Sequence, residues 1–153
     1  IRENILKRPD FYPDYYKDNE LNMKFILQRF QQFMKENYSY KDKKFIEREG
    51  RLLFLSFLRS IINGKGYDFK EPVIADERRM DIVITYNQIR YVTELKIWRG
   101  DEYHKKGLQQ LSDYLDMYTL TKGYLLIFDF NENKQYKEEN IKFKDKEIFA
   151  VWI

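Results

Sequence analysis

The sequence predicts an α/β fold: a mixed central β-sheet flanked by helices. Three observations predict it. Apolar residues recur at three-and-four spacing over three stretches, the signature of a helix with one buried face. Three short strand-like segments lie between the second and third of those stretches. After the third, Tyr124-Leu125-Leu126-Ile127-Phe128 is apolar enough to be a strand buried on both faces. Helix, three strands, helix, strand is an α/β order with parallel and antiparallel neighbours in one sheet.

The elements follow in order. Residues 1 to about 20 are rich in Asp, Lys and Tyr, and Pro9 and Pro13 break any regular pattern. Leu21, Phe25, Ile26, Phe30 and Phe33 predict a first helix over about 20–37, followed by a polar loop to Lys44. Ile46, Gly50, Leu53, Phe54, Phe57, Leu58 and Ile61 predict a second over about 45–63, ended by Asn63-Gly64-Lys65-Gly66. Strands are expected at about 67–74, 80–86 and 89–98, a third helix at 103–121, and closing strands at 140–144 and 147–153. The mixed-charge run from Lys134 to Lys146 reads as a loop and an edge strand.

Composition narrows the chemistry. The chain has 153 residues, 43% hydrophobic and 35% charged, enough for one buried core and unlike a disordered chain. No apolar run approaches the roughly 20 residues of a membrane span, and no secretory signal pattern opens the chain. No cysteine and a single histidine exclude disulfides, a thiol nucleophile, zinc–thiolate sites and His-rich metal sites; any metal would be a hard cation held by oxygen. The expectation is a cytoplasmic protein with no membrane partner. A net charge of +3 is too mild to argue for a nucleic-acid partner by itself. There is no G-x-x-x-x-G-K-[ST] loop to cradle nucleotide phosphates, so the chain is not expected to be an ATPase in its own right. Because it opens Ile1-Arg2 with no initiating Met, it is expected to be a piece of a longer protein, an opening that removal of a leader would also leave.

The most informative geometry lies in residues 80–97. Asn87-Gln88 can form a two-residue hairpin turn, since Asn tolerates the left-handed backbone such turns need. That turn sets Tyr86 opposite Ile89, and counting back sets Asp81 opposite Glu94. Directly opposed residues on one face have Cβ atoms roughly 4.5–5.5 Å apart. Lys96, two residues beyond Glu94, points to the same face, along with Val83 and Val92. Opposed carboxylates beside apolar neighbours repel, and are tolerated when a cation sits between them, when they share a proton, or when a lysine neutralises them. A plain salt bridge to Lys96 is therefore the competing reading. The tripeptide [Asp/Glu]-x-Lys occurs four times in the chain, at 42–44, 68–70, 94–96 and 132–134, so it carries little weight alone. Only the copy at Glu94 lies on a core strand with a second carboxylate in register.

An Asp, about a dozen residues, then Glu-x-Lys on the next strand, with a helix before and after, resembles the PD-(D/E)XK nuclease superfamily. More closely, Glu49-Gly50-Arg51-Leu52-Leu53-Phe54-Leu55, Arg78-Arg79-Met80-Asp81-Ile82-Val83, Glu94-Leu95-Lys96-Ile97-Trp98, Gly107-Leu108-Gln109-Gln110-Leu111-Ser112-Asp113-Tyr114 and Gly123-Tyr124-Leu125-Leu126-Ile127-Phe128 resemble nuclease-like domains attached C-terminally to bacterial AAA-like ATPase domains. The resemblance covers about 45–153 and implies a restriction-endonuclease-like α-β-β-β-α-β core. Residues 1–44 would then be a linker and helical segment from an upstream region. Met80 stands where the superfamily name has proline.

The resemblance implies that Asp81 and Glu94, with a carbonyl of Leu95, hold one or two Mg²⁺ (or Mn²⁺) ions, and that Lys96 orients or helps deprotonate the attacking water. Glu49, in line with the apolar stripe of its helix, suits the superfamily's helix glutamate better than Glu47, which can pair with Arg51. An acid favoured near a helix N-terminus is its alternative. Gln110, on a stripe with Tyr103, Gly107 and Tyr114, matches a polar position beside the active site, or is a buried glutamine satisfied by backbone. Gln109 falls on the side of Asp113 and Asp116 and reads as solvent-facing. Arg78, Arg79, Arg99, Lys105 and Lys106 suit phosphate contacts or a solvated surface. His104 reads as exposed or touching phosphate rather than catalytic, and Trp98 as packing.

The implied activity is Mg²⁺-dependent hydrolysis of phosphodiester bonds in nucleic acid, DNA ahead of RNA. The partners implied are an upstream AAA-like ATPase domain of the same chain and, because duplex cleavage needs two cuts, a homodimer. The alternative is a non-catalytic nuclease-like module that binds nucleic acid or docks on the ATPase part.

Overall fold

The computed structural model describes residues 15–62, 73–76 and 81–153. Within them the chain forms strands β1 (Tyr16–Lys17) and β2 (Glu20–Leu21), helix α1 (Met23–Asn37), a 3-10 turn (Tyr40–Asp42) and helix α2 (Lys43–Ile62). Strands β3 (Val73–Asp76), β4 (Asp81–Tyr86) and β5 (Ile89–Ile97) follow, then helix α3 (Asp101–Met117) and strands β6 (Lys122–Phe128), β7 (Lys137–Phe143) and β8 (Lys146–Trp152). The main sheet has the order β3-β4-β5-β6-β8-β7. Strands β3, β4 and β5 are antiparallel neighbours, β5, β6 and β8 run parallel, and β7 returns antiparallel to β8 at the edge. The α/β class with a mixed, helix-flanked sheet is the expected one.

Each helix forms where its apolar face meets the sheet. In α1, Met23, Ile26, Leu27, Phe30 and Met34 are buried, and the Asn22 side chain accepts the Phe25 N–H, a favourable N-cap. Tyr38 ends α1 in extended backbone, and Ser39 with Asp42 forms a reciprocal capping box before α2. In α2 the buried stripe is Ile46, Gly50, Phe54, Leu55, Leu58 and Ile61. Helix α3 starts after Gly100, whose φ of 98° favours glycine, and carries Asp101 and Glu102 in its first turn, where the helix dipole favours acids.

The sheet divides two cores. One face packs Ile82, Ile84, Tyr91, Leu95, Leu126 and Val151 against α1 and α2. The other packs Val83, Val92, Leu125, Ile127 and Ala150 against α3 through Leu108, Leu111, Tyr114 and Leu115. Leu125, Leu126, Ile127 and Phe128 are at most 4% exposed, the doubly buried strand expected there.

Three features differ from the sequence reading. Helix α1 lies in the 1–44 stretch assigned to a joining segment, yet Ile26, Leu27 and Phe30 have no exposed surface and share a core with α2. Residues 16–21, just before it, form a short hairpin where an irregular segment is expected, while residues 1–14 lie outside the described residues: Asp18 and Asn19 take positive φ at its turn, and Leu21 N–H donates to the Tyr91 hydroxyl at 3.0 Å. Helix α3 stops at Met117, four residues early, because Thr119 turns to a φ of 57° and Leu120 N–H closes back on the Leu115 carbonyl. Most of the strand expected at 67–74, and the glycines expected to end α2, lie outside the described residues. Among the described residues no helix is long and apolar enough to cross a membrane.

Candidate functional site

The hairpin between β4 and β5 sets the site. Asn87 and Gln88 have φ of 52° and 68°, both left-handed, as a two-residue turn matched to strand twist requires. The register then runs Tyr86 to Ile89 through Asp81 to Glu94, the pairing expected from sequence. For Asp81 this backbone register is what is described; its side chain lies outside the described residues.

Glu94 shares its face with Val92 and lies on the α3 side of the sheet, only 4% exposed. Lys96 Nζ stands 3.2 Å from Glu94 Oε2 and donates a 2.9 Å hydrogen bond to Gln110 Oε1 of α3. The Tyr103 ring lies beside the same ammonium, 5.3 Å from its centroid, close enough for a cation–π attraction. Beneath the lysine stem lies Gly107: a Cβ built there would fall 3.2 Å from Lys96 Cε. Glycine thus lets the stem cross α3, while Tyr103 and Gln110, one helical turn to either side, hold its head. A buried carboxylate costs several kcal/mol unless paired, and Lys96 supplies that pairing on strand β5 itself.

Gln110 meets Lys96 through its side-chain oxygen and is exposed, so it is not a buried glutamine satisfied by backbone. Its neighbour Gln109 donates to Asp113 at 2.7 Å. Leu95 points its fully buried side chain into the opposite core, its backbone pairing with Leu126. Glu49 sits on α2, in the layer across the sheet from Glu94, and forms an ion pair with Arg48 at 3.2 Å. The next residue, Gly50, presses on the Phe128 ring with 3.1 Å of room for a Cβ. Arg99 is exposed, its guanidinium 5.9 Å from the Tyr103 ring, so it and Lys96 share one aromatic neighbour. Lys105 and Lys106 are exposed on the first turns of α3, and Arg78 and Arg79 lie outside the described residues.

His104 differs from its exposed reading. Its ring sits 5.3 Å from Trp98 and 5.7 Å from Trp152, in an aromatic cluster at the C-terminal ends of β5 and β8. Burial there holds its pKa below the ordinary 6.5, assisted by Lys137 and opposed by Glu139 and Asp101. The signal was faint in sequence, because Trp152 is 48 residues away from His104. Tyr103 and Gly107 as the support of Lys96 were also missed, although both lie on the stripe that singled out Gln110.

Among the described residues no three His, Cys, Asp or Glu side chains form a group able to hold a metal. The chemistry of the donors still fits a hard cation: a buried carboxylate at Glu94, an aspartate opposite it in register, and no thiolate in the chain.

Comparison with known protein families, characterised proteins and solved structures finds no match to this chain. The fold and site define an α/β protein whose central hairpin opposes two acids in register. A lysine stands on the same strand as the second acid and is hydrogen-bonded to the following helix.

Proposed function

We propose that the chain is a metal-dependent nuclease with a restriction-endonuclease-like core, hydrolysing phosphodiester bonds of nucleic acid, DNA in the first instance. The observation that carries this reading is the register of Asp81 against Glu94, with Lys96 on the same face and anchored by Gln110. Asp81, Glu94 and the Leu95 carbonyl are the residues that would hold Mg²⁺ or Mn²⁺. When bound, such an ion supplies an acidified water and charge neutralisation at the phosphate.

The chain's own residues do the rest. Glu94, buried on the α3 side of the sheet, presents a carboxylate that Lys96 already pairs. Lys96 directs its ammonium across that carboxylate and offsets negative charge developing on the phosphate oxygens. Gln110 and Tyr103 favour this position of the ammonium, which lowers the reorganisation the reaction would need. Arg99, Lys105 and Lys106 offer phosphate contacts at the rim.

One observation favours the non-catalytic module instead: Lys96 is already paired with Glu94, as a structural ion pair would be. Incubation with plasmid and linear DNA plus Mg²⁺ or Mn²⁺ tests the first reading. Cleavage is expected, stopped by chelation and reduced at least about a hundredfold by Glu94→Ala. Cutting by the parent that persists in Glu94→Ala or in chelator removes it. Calorimetry with Mn²⁺ separates the readings further, since metal binding weakened by Asp81→Asn belongs to the nuclease and not to a docking module.

A further inference from the structure

A cleft of about 620 Å³ opens at the other end of the sheet and on its other face from Glu94 and Lys96, within the size range of small-ligand sites. Its floor is one rung of three strands, Tyr124 of β6, Phe149 of β8 and Asn140 of β7. The next rung outward is Lys122, Glu147 and Lys142, on the same face by the two-residue alternation. Lys24 enters from the first turn of α1, its ammonium 5.2 Å from the Phe149 ring centroid.

Three features suit this cleft to an anion. Three lysines and one glutamate line this cleft, and the adjoining hollow that shares Lys24, Lys122 and Tyr124 adds Lys17, Asp18 and Glu20, so lysines outnumber acids by one over the two together. Among the described residues neither Lys122 nor Lys142 forms an ion pair with the Glu147 between them. Lys24 occupies the first turn of a 15-residue helix that carries no acid there, where the helix dipole disfavours a cation, so a bound anion would relieve both. The Tyr124 phenol, its pKa pushed up to about 12 by burial, stays protonated and able to donate a hydrogen bond from the floor. A phosphate monoester carries about −1.5 to −2 at neutral pH, a charge that the three ammonium groups of the cleft can neutralise.

We propose that this cleft binds a phosphate monoester of nucleoside size. Its phosphate lies between Lys24, Lys122 and Lys142, and its apolar part lies against the Phe149 and Tyr124 floor. A free nucleotide and the phosphorylated 5′ end of a strand share that chemistry. The site is separate from the Glu94–Lys96 hairpin and does not depend on the nuclease reading.

Calorimetry on the full chain in chelator, where no metal-dependent cleavage occurs, tests it with adenosine 5′-monophosphate, adenosine and a 5′-phosphorylated thymidine dinucleotide. A phosphorylated probe is expected to bind, with adenosine at least about tenfold weaker than the monophosphate if the monophosphate is bound. The double substitution Lys122→Gln with Lys142→Gln, both exposed positions, raises that Kd at least about tenfold, whereas Lys44→Gln on α2 leaves it unchanged. Binding of the monophosphate alone assigns the free nucleotide; binding of the dinucleotide assigns the strand end. The proposal is overturned if neither phosphorylated probe binds at about 5 mM, if adenosine matches the monophosphate, or if the double substitution leaves binding intact.

Discussion

Replacing Gly107 by alanine separates stability from activity. The added Cβ would lie 3.2 Å from Lys96 Cε and 3.8 Å from its Cδ and Cγ, with no backbone atom among these neighbours. Carbon atoms rest at about 3.5–4.0 Å, so Cε must move by roughly 0.3–0.8 Å. The lysine stem is flexible and yields. Gly107 lies inside α3, with a φ outside the left-handed region, so alanine gains helix propensity of up to about 1 kcal/mol. The fold should therefore hold or gain stability in denaturant melts. On the nuclease reading proposed above, activity should move the other way, because the displaced stem carries Nζ away from its 2.9 Å bond to Gln110 and its 3.2 Å approach to Glu94. A misplacement of this order lowers the cleavage rate by about ten- to a hundredfold. The assay is turnover of a fluorescent DNA substrate beside a urea melt of the same sample. Undiminished turnover in a stable Gly107→Ala protein would refute the argument that this glycine sets the position of Lys96.

The other predictions concern the scaffold. Gly123→Ala places a Cβ 2.7 Å from Leu115 Cδ1 and 3.4 Å from Leu111 Cδ2, inside a packed layer that cannot give so easily. It should cost about 1–3 kcal/mol in a chemical melt, opposite in sign to Gly107→Ala. Tyr91→Phe leaves the Leu21 N–H without its 3.0 Å acceptor and should cost about 1–2 kcal/mol, with the 15–22 segment gaining hydrogen exchange first. His104 has a folded pKa below its unfolded value of 6.5, chiefly through burial, so the unfolded chain binds the proton more readily. Its contribution is whole above about pH 6.5 and is lost as pH falls from there through the lowered folded pKa. Thermal melts should show His104→Phe with a shallower loss of stability than the parent between pH 7 and pH 5; parallel curves would contradict the burial argument.

Much of the site was legible because strand geometry is simple. Once Asn87-Gln88 is a two-residue turn, the pairing of Asp81 with Glu94 and the shared face of Glu94 and Lys96 follow by counting, and the structure repeats that register residue by residue. The helix stripe through Gly107 and Gln110 was equally countable. Glu49 was less legible: a stripe marks a residue as facing the sheet but carries no information on which side of the sheet its helix covers. Helix α2 covers the side of Leu95, not that of Glu94.

Local order along the chain determined the α/β class, the hairpin register and the residues that share a face, since these depend on periods of 2 and 3.6 residues and on turn chemistry. Tertiary structure alone decided what depends on distant segments meeting. It buried α1 in the core and set His104 between two tryptophans. It also enclosed Lys146 between Asp116 and Asp145, the first of them 30 residues away, at 2.5 and 2.6 Å. Such contacts leave no periodic trace in sequence, because packing between layers constrains volume and charge in space rather than spacing along the chain.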